Sequence, residues 1–132
     1  MKFASTRLIA TDIAAVVRFN ETLTGTTAEW LAPVFAEIVV GGGVIAIGGA
    51  GTVALFREGS AQPASNRTAI LEFLVADVDA ELARLRDLVE VVQEPKDMPW
   101  GNRTAQFRDP ERALVSLFTP VTDAAKLRFG SR

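Results

Sequence analysis

The sequence predicts an α+β fold, two tandem βαβββ modules that form a cupped mixed sheet. Three observations lead there. An apolar run, an Asp and an amphipathic segment occur twice: LIATDI at residues 8–13 returns as FLVADV at residues 73–78. Asp12 falls on Asp77 and Ile13 on Val78 at one offset of 65 residues, which marks an internal repeat. Each amphipathic segment is then followed by three short apolar segments punctuated by turn residues. The chain also has 132 residues, of which 48% are hydrophobic, enough for a core without disulfide staples.

Taken in order, Phe3 to Ala10 and Ala69 to Val75 are rich in apolar and β-branched residues and read as the opening strands. Asp12 and Asp77 stand where a helix N-cap belongs, since a carboxylate there accepts from an orphan backbone N–H. Behind the first cap, Ile13, Val16, Val17 and Leu23 share one helical face; behind the second, Val78, Leu82, Leu85 and Val89 do the same. Gly25 closes the first helix. The later strands of the first module are Ala28–Leu31, Val34–Val40 and Val44–Gly48, with Gly41-Gly42-Gly43 as a hairpin turn. Those of the second are Glu90–Gln93, Arg103–Arg108 and Ala113–Phe118, with Asp109-Pro110-Glu111 as the turn. Residues 57–68 read as a polar linker between modules 1–56 and 69–120, and residues 121–132 as a polar, partly frayed C-terminal tail. The glycines at 48, 49 and 51 read as a loop. Neither glycine run opens a helix before Gly-Lys-Ser/Thr, so neither reads as a phosphate loop.

Composition narrows the chemistry. There is no Cys, His or Tyr, so thiol catalysis, the usual imidazole base and the usual ligands of zinc, copper and non-haem iron are all missing. The net charge of −2 and a pI near 5.2 give no basic surface for nucleic acid. Arg7 and Asp12 interrupt the N-terminal apolar run, so no signal peptide and no membrane span are expected, and the location expected is cytoplasmic. The Asn-x-Thr triplets at Asn66 and Asn102 are then chance matches.

The stretch PWGNRTAQFRDPERALVSLFTP at residues 99–120, with strand–Asp–helix occurring twice, resembles the glyoxalase/bleomycin-resistance/dioxygenase (vicinal oxygen chelate) superfamily. The likeness spans about residues 3 to 120. Members commonly carry Trp-Gly, Asp-Pro-(Asp/Glu)-Gly-Asn and a strand ending Phe-x-Pro. Pro99-Trp100-Gly101 and Leu117-Phe118-Thr119-Pro120 look most like the drug-binding antibiotic-resistance members. The family's Gly-Asn is here Arg112-Ala113, which implies a different turn, because Gly tolerates positive φ at low cost.

The resemblance also implies where a metal would be held. One ligand position lies seven residues before the first helix Asp, here Ser5; its repeat equivalent is Ile70; a third, usually Glu, is Ser116. Glu37 is the candidate from the first module's later strands. That set does not describe a metal site, so no metal and no cofactor are expected.

The expected site is instead a pocket, apolar with a few polar groups. Strand alternation would turn Arg7 and Ile9 into the cavity with Ser5, Glu72 and Leu74 with Ile70, and Leu114 and Phe118 with Ser116. Leu71, Phe73, Val75, Val115 and Leu117 would lie beneath the helices. Trp100 reads either as a flat wall for a planar ligand or as loop packing. Trp30 and Phe35 read as lining for the first half of the cavity, or as core or dimer contacts. Glu72 reads as a partner of Arg7, its repeat equivalent, as a ligand anchor, or, if buried, as a base. Asn102, Arg103 and Gln106 are candidate hydrogen-bonding groups. The function expected is metal-independent binding of a planar or hydrophobic small molecule, such as a sequestered antibiotic, by a homodimer. The alternatives are a metal-free isomerase or lyase using Glu72 or Glu37 as base, and an accessory domain with a vestigial pocket.

Overall fold

Two carboxylates turn the chain from strand into helix. Asp12 Oδ1 accepts from Ala15 N–H at 3.1 Å, and Asp77 Oδ1 accepts from Ala80 N–H at 3.1 Å. Each cap follows a short strand and starts a helix, as the repeat predicts. The computed structural model describes residues 1–130, in two compact units, Met1–Asn66 and the described residues from Arg67 onward. In the first, β1 (Thr6–Ala10) leads to α1 (Ile13–Thr24), then β2 (Glu29–Ala32), β3 (Phe35–Val40) and β4 (Gly43–Gly49). In the second, β5 (Ile70–Leu74) leads to α2 (Val78–Leu85), then β6 (Glu90–Asp97), β7 (Asn102–Arg108), β8 (Leu114–Pro120) and α3 (Asp123–Gly130). The fold is therefore α+β with two tandem βαβββ modules.

Each sheet is mixed. The first runs β1-β4-β3-β2 with β1 parallel to β4 and the other pairs antiparallel. The second repeats this as β5-β8-β7-β6. Each helix covers one face of its own sheet. Beneath α1, Ala36, Ile38, Ile45 and Ile47 are buried against Val16, Val17, Phe19 and Leu23. Beneath α2, Ala105, Phe107, Val115 and Leu117 are buried with Val78, Leu82 and Leu85. Full burial of one such aliphatic or aromatic side chain contributes roughly 1.5–3 kcal/mol, so these two clusters dominate the stability. Thr119 adds a clasp on the α2 side, its Oγ1 accepting from Val78 N–H and donating to Val75 O, both at 3.0 Å. Arg103, on the same face, donates to Asp79 and Asp97, and its hydrogen bonds hold the Asp79 carboxyl below its usual range.

The structure departs from the sequence reading in four places. The first strand begins at Thr6, leaving Phe3 exposed. The second module's edge strand reaches Asp97 despite Pro95, because an edge strand has one side free of ladder bonds where Pro is tolerated. The glycine-rich stretch read as a loop opens a 3-10 helix, Ala50–Leu55. The segment read as a frayed tail contains α3, with Ala125 buried and Phe129 tilted against Phe118 at 4.9 Å between centroids; residues 131 and 132 lie outside the described part. Phe118 alternates with Thr119, so α3 docks on the face opposite α2. Gly101 permits that docking: its φ is +98°, and a methyl group there would run into Thr122 Oγ1 and Ala125. No helix among the described residues is long and apolar enough to cross a membrane.

The turn after β7 corrects a further expectation. Arg112 stands where the family has Gly and nevertheless takes the left-handed conformation, φ +70°. The turn holds because the buried Asp109 carboxylate accepts from Glu111 N–H at 2.8 Å and Ala113 N–H at 2.9 Å. Burial pushes the Asp109 carboxyl up from its ordinary value, although the two amides pull it back. A carboxyl raised in the folded state binds its proton more tightly there than in the unfolded chain, so its contribution to stability falls as pH rises through the folded value.

Two measurements check these points. Asp109→Asn keeps the acceptor without the charge and should match or exceed wild-type thermal stability near neutral pH, with a smaller loss on going up from acid. Asp109→Ala strands two amides and should cost about 1–3 kcal/mol. Gly101→Ala, followed by thermal denaturation, should lower stability by about 1–3 kcal/mol through left-handed strain and the Thr122 clash; an unchanged melting temperature would contradict the docking of α3 described above.

Candidate functional site

The face of each sheet opposite its crossover helix carries Arg7, Phe35, Glu72, Ser116 and Phe118, and the two units furnish it differently. In the first unit, cross-strand register places Arg7, Ala46, Glu37 and Glu29 in one row and Ile9, Gly48, Phe35 and Ala32 in the next. The Arg7 guanidinium turns over the second row, 5.4 Å from the centroid of the Phe35 ring and 5.7 Å from that of Phe56. Phe56 arrives just after the 3-10 helix that follows β4.

That helix roofs a cleft of about 270 Å³. Arg7 and Ile9 supply the strand side, Thr52, Val53 and Phe56 the roof, and Ser60 and Ala61 the outer lip. Gly48 lets the 3-10 helix approach β4 closely: a Cβ there would sit 3.1 Å from Thr52 Oγ1 and 3.7 Å from both Ile9 Cδ1 and Phe35 Cδ2. Thr52 Oγ1 donates to Gly49 O at 2.7 Å, which fixes the roof on the strand end. The cleft is near the low end of the roughly 300–1,000 Å³ typical of ligand sites, room for a compact compound. Its chemistry is apolar and aromatic with one cation and two hydroxyls.

In the second unit, Glu72, Ser116, Gln106 and Gln93 form the row equivalent to that of Arg7. Ser116 is buried, and its Oγ accepts from Gln106 Nε2 at 3.0 Å. Glu72 is exposed at the sheet edge. Ile70 and Leu74 flank it, also exposed. Phe118 lies in the neighbouring row beside Leu74 and is covered by Phe129 of α3.

The sequence-derived candidates thus separate. Arg7 and Phe35 come together in the first unit, and Glu72 with Ser116 in the second. Trp30 pairs with Ala36 and so lies on the helix side of its sheet, opposite to Phe35; Trp30 and Phe35 therefore do not line one cavity surface. Phe118 packs under α3 rather than standing open. Trp100, 60% exposed, sits in a turn closed by Gly101 N–H on Met98 O at 3.0 Å. Asn102 is 5% exposed, and its Oδ1 has no hydrogen-bond partner among the described residues. A buried acceptor of that kind costs stability, and it is not open to a solvent-borne ligand. Arg103 is taken up by Asp79 and Asp97. The residues missed from sequence are Phe56, Thr52 and Val53, and from the expected linker Ser60 and Ala61. The only local signal was a lone aromatic after a Gly/Ala-rich stretch.

The metal positions implied by the family can be tested on their donor chemistry. Ile70 offers no lone pair. Ser5 and Ser116 offer neutral hydroxyls, the latter already accepting from Gln106. Glu37 adds one carboxylate, with Glu29 paired opposite it in the first unit's Arg7 row. This set does not fit a divalent metal, and no cluster of three Asp or Glu suited to a metal occurs among the described residues.

Known proteins match this architecture. A crystal structure of a glyoxalase/bleomycin resistance protein/dioxygenase from Nocardioides is 24% identical, with 93% of this chain and 85% of that one covered and a TM-score of 0.77. A glyoxalase/bleomycin resistance protein/dioxygenase family enzyme from Burkholderia phytofirmans PsJN is 18% identical, with 89% and 98% covered and a TM-score of 0.80. TioX from Micromonospora sp. ML1 is 21% identical, with 92% and 100% covered and a TM-score of 0.68. At these identities the likeness is one of fold. No curated protein matches the chain. The sequence profile of the Glyoxalase/Bleomycin resistance protein/Dioxygenase superfamily matches residues 2–117, and the chain belongs to that superfamily.

Proposed function

We propose that the protein binds a planar or hydrophobic small molecule, such as an antibiotic held by sequestration, without a metal and without chemical turnover. The cleft beneath Ala50–Leu55 is the observation that carries this reading. It joins the apolar surface of Ile9, Val53 and Phe56 to a guanidinium stacked on Phe56 and Phe35, the mixture of shape and sparse polarity that suits ligand capture. The donor chemistry at Ser5, Ile70 and Ser116 supports metal independence. Glu72, the acid that an isomerase or lyase reading would use as base, is exposed to water and is not part of the cleft lining. The reading includes a homodimer, supported by Trp30, Leu31 and Val34, which expose apolar surface on and beside the edge strand β2.

Fluorescence titration with the neutral planar probe N-phenylnaphthylamine tests the cleft. One saturable site per chain is expected, and Phe56→Ala should weaken it roughly tenfold, the loss of one well-placed aromatic contact. Probe uptake that does not saturate, or that is indifferent to Phe56, would sink the assignment. Light scattering behind size exclusion reports the subunit count on the same samples.

A further inference from the structure

We infer that the cleft's ligand carries an anionic group, a carboxylate or sulfonate on a ring system, and that Arg7 is its anchor; this rests on the binding reading above and names its ligand class. Arg7 lies beside two rings, Phe35 and Phe56, and among the described residues of its own unit no carboxylate pairs with it. The cleft lining itself contains no acid. Glu37 is on the same face but two strands away, roughly 10 Å at the usual strand spacing, with Ala46 between. The guanidinium is turned from that row toward Phe35.

The consequence follows from the shape of a guanidinium. Rings attract it through its flat face, yet they leave its net charge in place and accept no N–H bonds in its plane. Its edge therefore keeps a fork of donors suited to two oxygens of one acid group. Contact with rings also orders the side chain before a ligand arrives, which lowers the cost of binding. Ser60 supplies a further hydroxyl at the lip, and Thr52 Oγ1 keeps its acceptor side because its proton is committed to Gly49 O. A cationic ligand would meet the Arg7 charge at close range with no acid in the lining to offset it. The ring portion of an anionic ligand would lie along Ile9, Val53 and Phe56.

Three probes of one shape separate the possibilities: naphthalene sulfonate, naphthyl methanol and naphthyl methylammonium, titrated by calorimetry into the full chain. The sulfonate is expected to bind about tenfold or more tightly than the alcohol, as a charge-assisted bidentate contact requires, with the ammonium weakest and with added salt reducing only the sulfonate's advantage. Arg7→Gln should abolish the preference, lowering the sulfonate's affinity far more than the alcohol's. Arg7→Lys should restore part of it, since charge returns without the fork. Circular dichroism confirms that each variant is folded. Equal binding of all three probes, or a preference for the ammonium, overturns the anionic ligand class while the binding reading stands. If no probe shows a saturable site sensitive to Phe56→Ala, both fall together.

Discussion

Each module has four strands and only one crossover helix, and that imbalance governs the rest of the structure. A helix covers one face of its sheet, and the capping aspartates settle where it begins. With β1 parallel to β4, and β5 to β8, the connection must cross over the sheet rather than turn back beside it. One face then becomes core, closed by Ile38, Ile45 and Ile47 in the first unit and by Phe107, Val115 and Leu117 in the second. The other face is left to whatever follows the last strand.

The two units answer that need in topologically equivalent ways. The segment after β4 is the 3-10 helix with Phe56; the segment after β8 is α3 with Phe129. Both lie over the helix-free face of their own sheet. The first leaves a cleft lined by Arg7 and Ile9. The second settles onto Phe118, admitted by the missing side chain at Gly101. A repeated architecture has thus been furnished once as a site and once as a cover, and the difference comes from a few side chains rather than from topology.

Much of this was legible in the sequence, and physical chemistry explains the boundary. Asp12 and Asp77 were readable because capping is local, depending on one side chain and an amide three residues on. Strand faces were readable because alternation fixes them: Leu71, Phe73, Val115 and Leu117 lie on the helix side and Glu72 with Ser116 away from it. Trp30 was not, since its face depends on its pairing with Ala36 next to a bulge. The helix over Asp123–Gly130 has no apolar stripe to announce it; it docks through Ala125, Phe129 and Gly101, contacts that exist only in three dimensions. Ser60 and Ala61 have linker composition, and nothing local says that a linker will rim a cleft. Arg112 shows the converse: the absent glycine suggested another turn, but the Asp109 carboxylate is strong enough to keep a left-handed residue in place.

The parallel pairing of first and last strands also sets an order of assembly. During synthesis β1 emerges without its partner and stays unpaired until β4 has left the ribosome; β5 likewise waits for β8. Closing such a non-local pair demands loop entropy before any ladder bond repays it. Neither sheet can therefore be completed gradually from its N-terminal edge. Each module must condense around its hairpins and crossover helix and receive its first strand last or all at once, so a ribosome paused before β4 or β8 would display an unsatisfied strand edge to every neighbouring chain.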